Sequence, residues 1–101
     1  MSIKVLEFRE VRKGSSLRGF AKVQFASGLI VNDVTVLVGD RGPWASPPSK
    51  PRINSDGTVQ KSADGKILYT PIIDFASREI RARWSDAVIE AVRAAHPEVL
   101  A

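Results

Sequence analysis

Cysteine is absent from this 101-residue chain, which excludes a disulfide framework and any thiolate metal site. Histidine occurs once, as His96 in "AAHPEVLA", where a solvated helix-end residue fits better than a base or a metal ligand. No carboxylate set has metal-ligand spacing, and no glycine pattern resembles a phosphate loop. Neither a metal nor a cofactor is expected. Ser46 and Ser49 have no neighbouring base to activate them. Asp33, mid-strand in "VNDVTV", is the one acid that stands out; without an identifiable partner it reads as a paired carboxylate rather than a general acid. Enzymatic activity, and with it a small-molecule substrate, is therefore not expected. Long apolar runs are also missing, and "MSIKVLEFREVRK" lacks the apolar stretch of a secretory signal. A cytoplasmic protein without a membrane partner is predicted.

What is present suits one small domain spanning residues 1–101. Hydrophobic residues make up 44% and charged residues 26%, near the averages for soluble domains. A chain this short builds a thin core, so burial against a partner would be a useful supplement. Lysine and arginine outnumber acids 15 to 11, for a formal charge of +4. That balance favours polyanionic partners and is equally met in a solvated surface.

Apolar residues at Ile3, Val5, Leu6, Phe8 and Val11 give an imperfect alternation, consistent with a strand that has one wet face. "KGSS" marks a turn. In residues 17–25 the odd positions are Leu17, Gly19, Ala21, Val23 and Phe25, with Phe20 the exception among polar neighbours, so period two predicts a second strand. "ASG" suits a hairpin loop, and residues 29–38 form a Val-rich run that is partly apolar on both faces, as in a central strand covered on one side by a helix or partner. Pro43 restricts the next segment to a brief edge strand. Residues 47–66 are polar, with two Asp-Gly pairs, and read as a long loop or weak hairpin with no internal repeat. Leu68 and Tyr69 precede Pro71 as a last short strand. Finally Ile80, Trp84, Ala87, Val88, Ala91 and Ala95 recur at helical steps. They predict a helix to residue 95 that starts at Asp74 or Ser77. Strands first and one helix last define an α+β class with a meandering antiparallel sheet.

The charged residues are unevenly placed. "RGPWASPPSKPR" holds four of the six prolines together with Trp44, Arg41, Lys50 and Arg52. Prolines fix φ and reduce the entropy lost on ordering, so this stretch can hold Lys50 and Arg52 out from the sheet edge; prolines also blunt an edge strand against aggregation. Arg78, Arg81 and Arg83 lie in the first half of the helix, against the preference of the macrodipole for acids there. Arg78 and Arg81 border the apolar stripe with Ser85, and Arg83 lies across it. Both a binding role and simple pairing with Glu79 and Asp86 fit that placement. Trp84 reads as core, and Trp44 as packing for the sheet edge or a platform for a stacked base.

The block "GLIVNDVTVLVGDRGPWASPPSKP", residues 28–51, resembles the SpoVG septation-protein family. There a strand of the form V-x-D-[IV]-x-[VI] is followed by glycine, an aromatic or apolar pair, and M-P-S-[KR]. Val31, Asp33, Val34 and Val36 match the strand, Gly42 and Trp44 the turn, and Pro48, Ser49 and Lys50 the signature, with Pro47 in place of methionine. The opening residues, Pro71 and "DAVIEAV" are also similar to the family, while "ADGKILYTPIIDFASREIRARWS" carries several extra residues. The resemblance implies an intertwined or helix-exchanged homodimer that binds DNA, and RNA in some members. It also implies a role in septation, cell division or the regulation of transcription. It places nucleic-acid contacts on Lys50 and Arg52, and on Arg78 and Arg81. Arg83, Arg41 and Lys66 join this set on charge alone. The competing expectation is a non-enzymatic protein-interaction module that uses the proline segment or the sheet edge.

Overall fold

The computed structural model describes residues 3–11 and 16–100. Most of the turn expected at "KGSS" falls outside the described residues. Four strands, β1 (Lys4–Glu10), β2 (Leu17–Gln24), β3 (Ile30–Gly39) and β4 (Gly42–Ser46), form an antiparallel meander in chain order. The short β5 (Ser49–Pro51) and β6 (Tyr69–Pro71) pair separately, and the helix α1 (Arg78–Ala95) and a 3-10 turn (Pro97–Leu100) end the fold. This is the expected α+β arrangement.

One face of the meander is built for the helix. Ala21, Val23, Val31, Val34, Val36 and Ala45 meet Val88, Ile89, Val92 and Val99 in a single buried cluster. Strict alternation cannot put Val31 and Val34 on the same face. A bulge does: Val23 pairs with Val31 and Ala21 with Val34, so Lys22 faces both Asn32 and Asp33. Asp33 absorbs the extra residue at φ +57°, in the left-handed region that aspartate tolerates better than most side chains. Leu6 plays the same part in β1, where pairing jumps from Val5 to Glu7 and leaves Val5 and Phe8 both packed on the core. The largest fully buried side chains are all valines, so the core is as thin as the chain length implies.

The helix begins at the second of its two predicted caps. Ser77 Oγ accepts from the Ile80 N–H at 3.2 Å, while the Asp74 carboxylate accepts instead from the Phe75 N–H at 2.8 Å, three residues upstream of Ser77. Ser85 fastens α1 to the sheet: its Oγ accepts from the Ala45 N–H of edge strand β4 at 2.8 Å. An edge amide that could template another strand is thus closed by the helix. Ser85→Ala leaves that part-buried donor unpaired, and urea denaturation should show a loss of about 1–2 kcal/mol.

Residues 49–71 are better ordered than a loop. The Arg52 N–H donates to Leu68 O, the Leu68 N–H to Gln60 O and the Gln60 N–H to Arg52 O, at 2.8, 3.0 and 2.8 Å. This closed ring joins three short segments. Between them stand two like hairpins. Asn54 bonds Thr58 and Ser62 bonds Lys66, with Gly57 and Gly65 at φ +88° and +84°. Residues 52–59 and 60–67 are therefore one unit repeated, contrary to the expectation of no repeat; its two copies agree in residue type only at the Asp-Gly pairs. The radius of gyration, 14.8 Å, exceeds the ~13 Å of a compact 100-residue domain, consistent with a projecting arm.

Both arm aspartates hold their loops. Asp56 accepts from the Thr58 hydroxyl at 2.6 Å and from its N–H at 3.0 Å, and Asp64 accepts from the Ser62 hydroxyl. These side-chain bonds, foremost, lower both carboxyls below the ordinary 3.8. A depressed folded pKa gives order that is present above 3.8 and lost as pH falls through the lowered value. Amide exchange at Thr58 should therefore show greater protection at about pH 5 than at about pH 2, after correction for intrinsic rates.

Candidate nucleic-acid interface

Backbone connectivity sets two groups of cations on either side of the segment that joins the arm to the helix. β4 runs directly through Pro47 and Pro48 into β5, so Lys50 follows the sheet edge, and the Ile72 N–H donates to Pro48 O at 3.2 Å. Five residues after Ile72 comes Ser77, the cap of α1. Lys50 and Arg52 on the arm, and Arg78 and Arg81 on the first turns of α1, therefore flank the same junction. All four are exposed.

Their partners differ in kind. Arg52 Nε donates to Thr70 Oγ1 at 3.3 Å, which steers the guanidinium along the arm without neutralising it. The Arg81 guanidinium lies 5.9 Å from the centre of the Phe75 ring, and an aromatic face likewise holds a cation without cancelling its charge. Lys50 and Arg78 form no ion pair with any described residue. Arg83, by contrast, is engaged by Glu79 at 3.0 Å on the other side of the helix.

Two predicted residues stand apart from this junction. Arg41 sits in the β3–β4 turn, at the opposite end of β4 and about 20 Å from Pro48 at strand rise. Lys66 lies on the second hairpin of the arm, where it extends the cationic surface away from the junction. Lys61, on the same hairpin opposite Ile67, is a further arm cation, and because neighbouring strand residues alternate it faces away from Lys66, which lies opposite Ser62.

Beside α1 lies an apolar groove. Phe25 and Phe75 flank Trp84 with ring centres 6.4 and 5.3 Å from it. Together with Ile3 and Ile80 they line a hollow of about 300 Å3. Trp84 is thus half-buried at the margin of the core, whereas Trp44 is exposed on the far face of the sheet, opposite Leu37. His96 ends the helix with its ring 5.4 Å from Phe8 and its Nδ1 3.7 Å from Glu98. Among the described residues no group of three histidines or acids could hold a metal ion, and no helix is long and apolar enough to cross a membrane.

A four-stranded meander closed by one helix, with a cationic two-hairpin arm leaving its edge strand, defines a small α+β protein whose distinctive chemistry lies on its surface. The chain belongs to the SpoVG family, whose model matches residues 1–94. It is 34% identical over 90 residues to a protein of Archaeoglobus fulgidus named septation protein SpoVG, a match that covers 84% of this chain and 92% of the relative.

Proposed function

We propose that this protein is a non-enzymatic, homodimeric regulator that binds DNA or RNA, and that it acts in the cytoplasm on septation or on gene expression. The observation that carries the reading is the junction of Lys50, Arg52, Arg78 and Arg81, four exposed cations of which none is paired with an acid among the described residues. Phosphate contacts from such groups position a nucleic acid, while base edges or shape supply any sequence preference. The name of the Archaeoglobus relative supports a link to septation. Anisotropy of a labelled duplex across a salt series tests the reading: affinity should fall steeply with salt, and a flat response would overturn it.

The apolar groove supports the dimer. Ile80, 46% exposed, and the Phe25–Trp84–Phe75 stack leave hydrophobic surface that a second copy would remove from water. Two copies carry a nominal charge of about +8 and present two cation junctions to one polymer, which raises the effective concentration of the second. Ile80→Asp places a charge in that contact. Light scattering should find the wild type as a dimer and this variant as a monomer at micromolar concentration. The same groove favours the competing reading of a protein-interaction module, which predicts binding to a partner protein that survives loss of Lys50 and Arg52.

A further inference from the structure

The face of the sheet turned away from α1 carries a depression of about 370 Å3, lined among others by Glu7, Arg9, Phe20, Lys22, Asn32 and Asp33. The β3 bulge helps to make it, because Lys22 faces two residues of β3 where a regular ladder would supply one. Bulges commonly re-aim side chains in this way beside binding sites. Phe20 forms an aromatic wall, with the Arg9 guanidinium 5.2 Å from its ring centre. Glu7, Lys22, Asn32 and Asp33 make no side-chain hydrogen bond or ion pair with any described residue. Four polar groups thus surround one hollow with their hydrogen-bonding capacity unspent.

The chemistry of that set matches a nucleotide. A ring face stacks a base, and an arginine plane stacks on it too. Carboxylates accept from the exocyclic amino groups of cytosine and adenine, an amide both donates and accepts, and Arg9 and Lys22 suit the flanking phosphates. Within a duplex the base faces are already stacked, so only an unpaired base can enter. Taking the ligand class from the functional reading above, we propose that this depression holds one splayed-out base of a single-stranded nucleic acid. Phe20 stacks it, and Asn32, Asp33 and Glu7 select an amino-bearing base. The site is distinct from the cation junction, which grips phosphates of any strand.

Anisotropy with the full chain and labelled eight-nucleotide homopolymers tests this, with RNA and DNA versions separating the two sugars. Adenine and cytosine strands should bind about tenfold more tightly than uracil or thymine strands. Phe20→Leu and Asn32→Ala, each checked for folding by circular dichroism, should weaken the adenine strand by about 5- to 50-fold and a 20-base-pair duplex by less than about twofold. Titration with adenosine monophosphate should shift the Asn32 side-chain amide resonance, which requires no variant. If both folded variants bind the adenine strand as the wild type does and that resonance stays still, the pocket is overturned. Salt-sensitive duplex binding would then leave the functional reading standing, and failure of every oligonucleotide to bind would remove both.

Discussion

Gly19→Ala should lower the stability of the isolated protein by about 2–4 kcal/mol, and its midpoint of thermal unfolding by roughly 10–20 °C. A Cβ at this buried position would clash with the Arg9 carbonyl oxygen and stand 2.8 Å from Phe8 Cζ. The ring of Phe8 could swing aside, at the expense of its packing on the core. The carbonyl cannot, because it belongs to β1, which pairs with β2 through Glu10 and Gly19 itself. Accommodation therefore requires the two strands to part. For a domain of this size the whole margin is about 5–15 kcal/mol. Gly28→Ala is the control: its Cβ meets nothing within 4 Å, so only the positive φ opposes it, at about 1–2 kcal/mol. Urea and thermal unfolding at one fixed protein concentration would separate these terms from any change in self-association. A Gly19→Ala protein that melts within a few degrees of the wild type would show that the sheet is looser at this crossing than the geometry implies.

Gly19 also marks the limit of what patterning reveals. Period-two alternation located β2 correctly, and the helical stripe located α1, because in both the apolar residues keep step with the backbone. β3 loses step. Its Val31, Val34 and Val36 fall on both parities of a central strand covered on one side; the bulge at Asn32–Asp33 collects them on the helix-covered face. The clue was the aspartate inside a valine run, read as a paired acid when its backbone was the informative part. The arm was illegible for another reason. It has little apolar periodicity because its residues are nearly all exposed, and its order comes from backbone hydrogen bonds around two glycine turns. Cation placement was legible only where the chain is locally continuous. Lys50 and Arg52 follow directly from the proline segment, whereas Arg41, only nine residues before Lys50 in sequence, is carried to the far end by the length of β4.

Lys50→Ala combined with Arg52→Ala should reduce duplex affinity by about a thousandfold at about 0.1 M salt, with little change in stability. The estimate follows from counterion release. The proposed dimer would carry four of these side chains, and each phosphate contact contributes about 0.9 to the slope of log affinity against log salt. If the proposed dimer neutralises roughly 4–6 phosphates, its slope is about −4 to −5, and the double variant should retain about −1. Both side chains are exposed and outside the core, so unfolding should not account for the loss. Arg83→Ala separates geometry from net charge: it removes a positive charge that Glu79 already engages at 3.0 Å, and it should shift the slope by less than one unit. Were all cations equivalent through the overall field alone, Arg83→Ala and Lys50→Ala would weaken binding equally. The structure argues against equivalence because Pro48 and Pro51 fix the backbone on both sides of Lys50, and Thr70 holds the Arg52 guanidinium in line with it. Side chains ordered beforehand lose less freedom on contact, so the arm cations should account for most of the salt dependence.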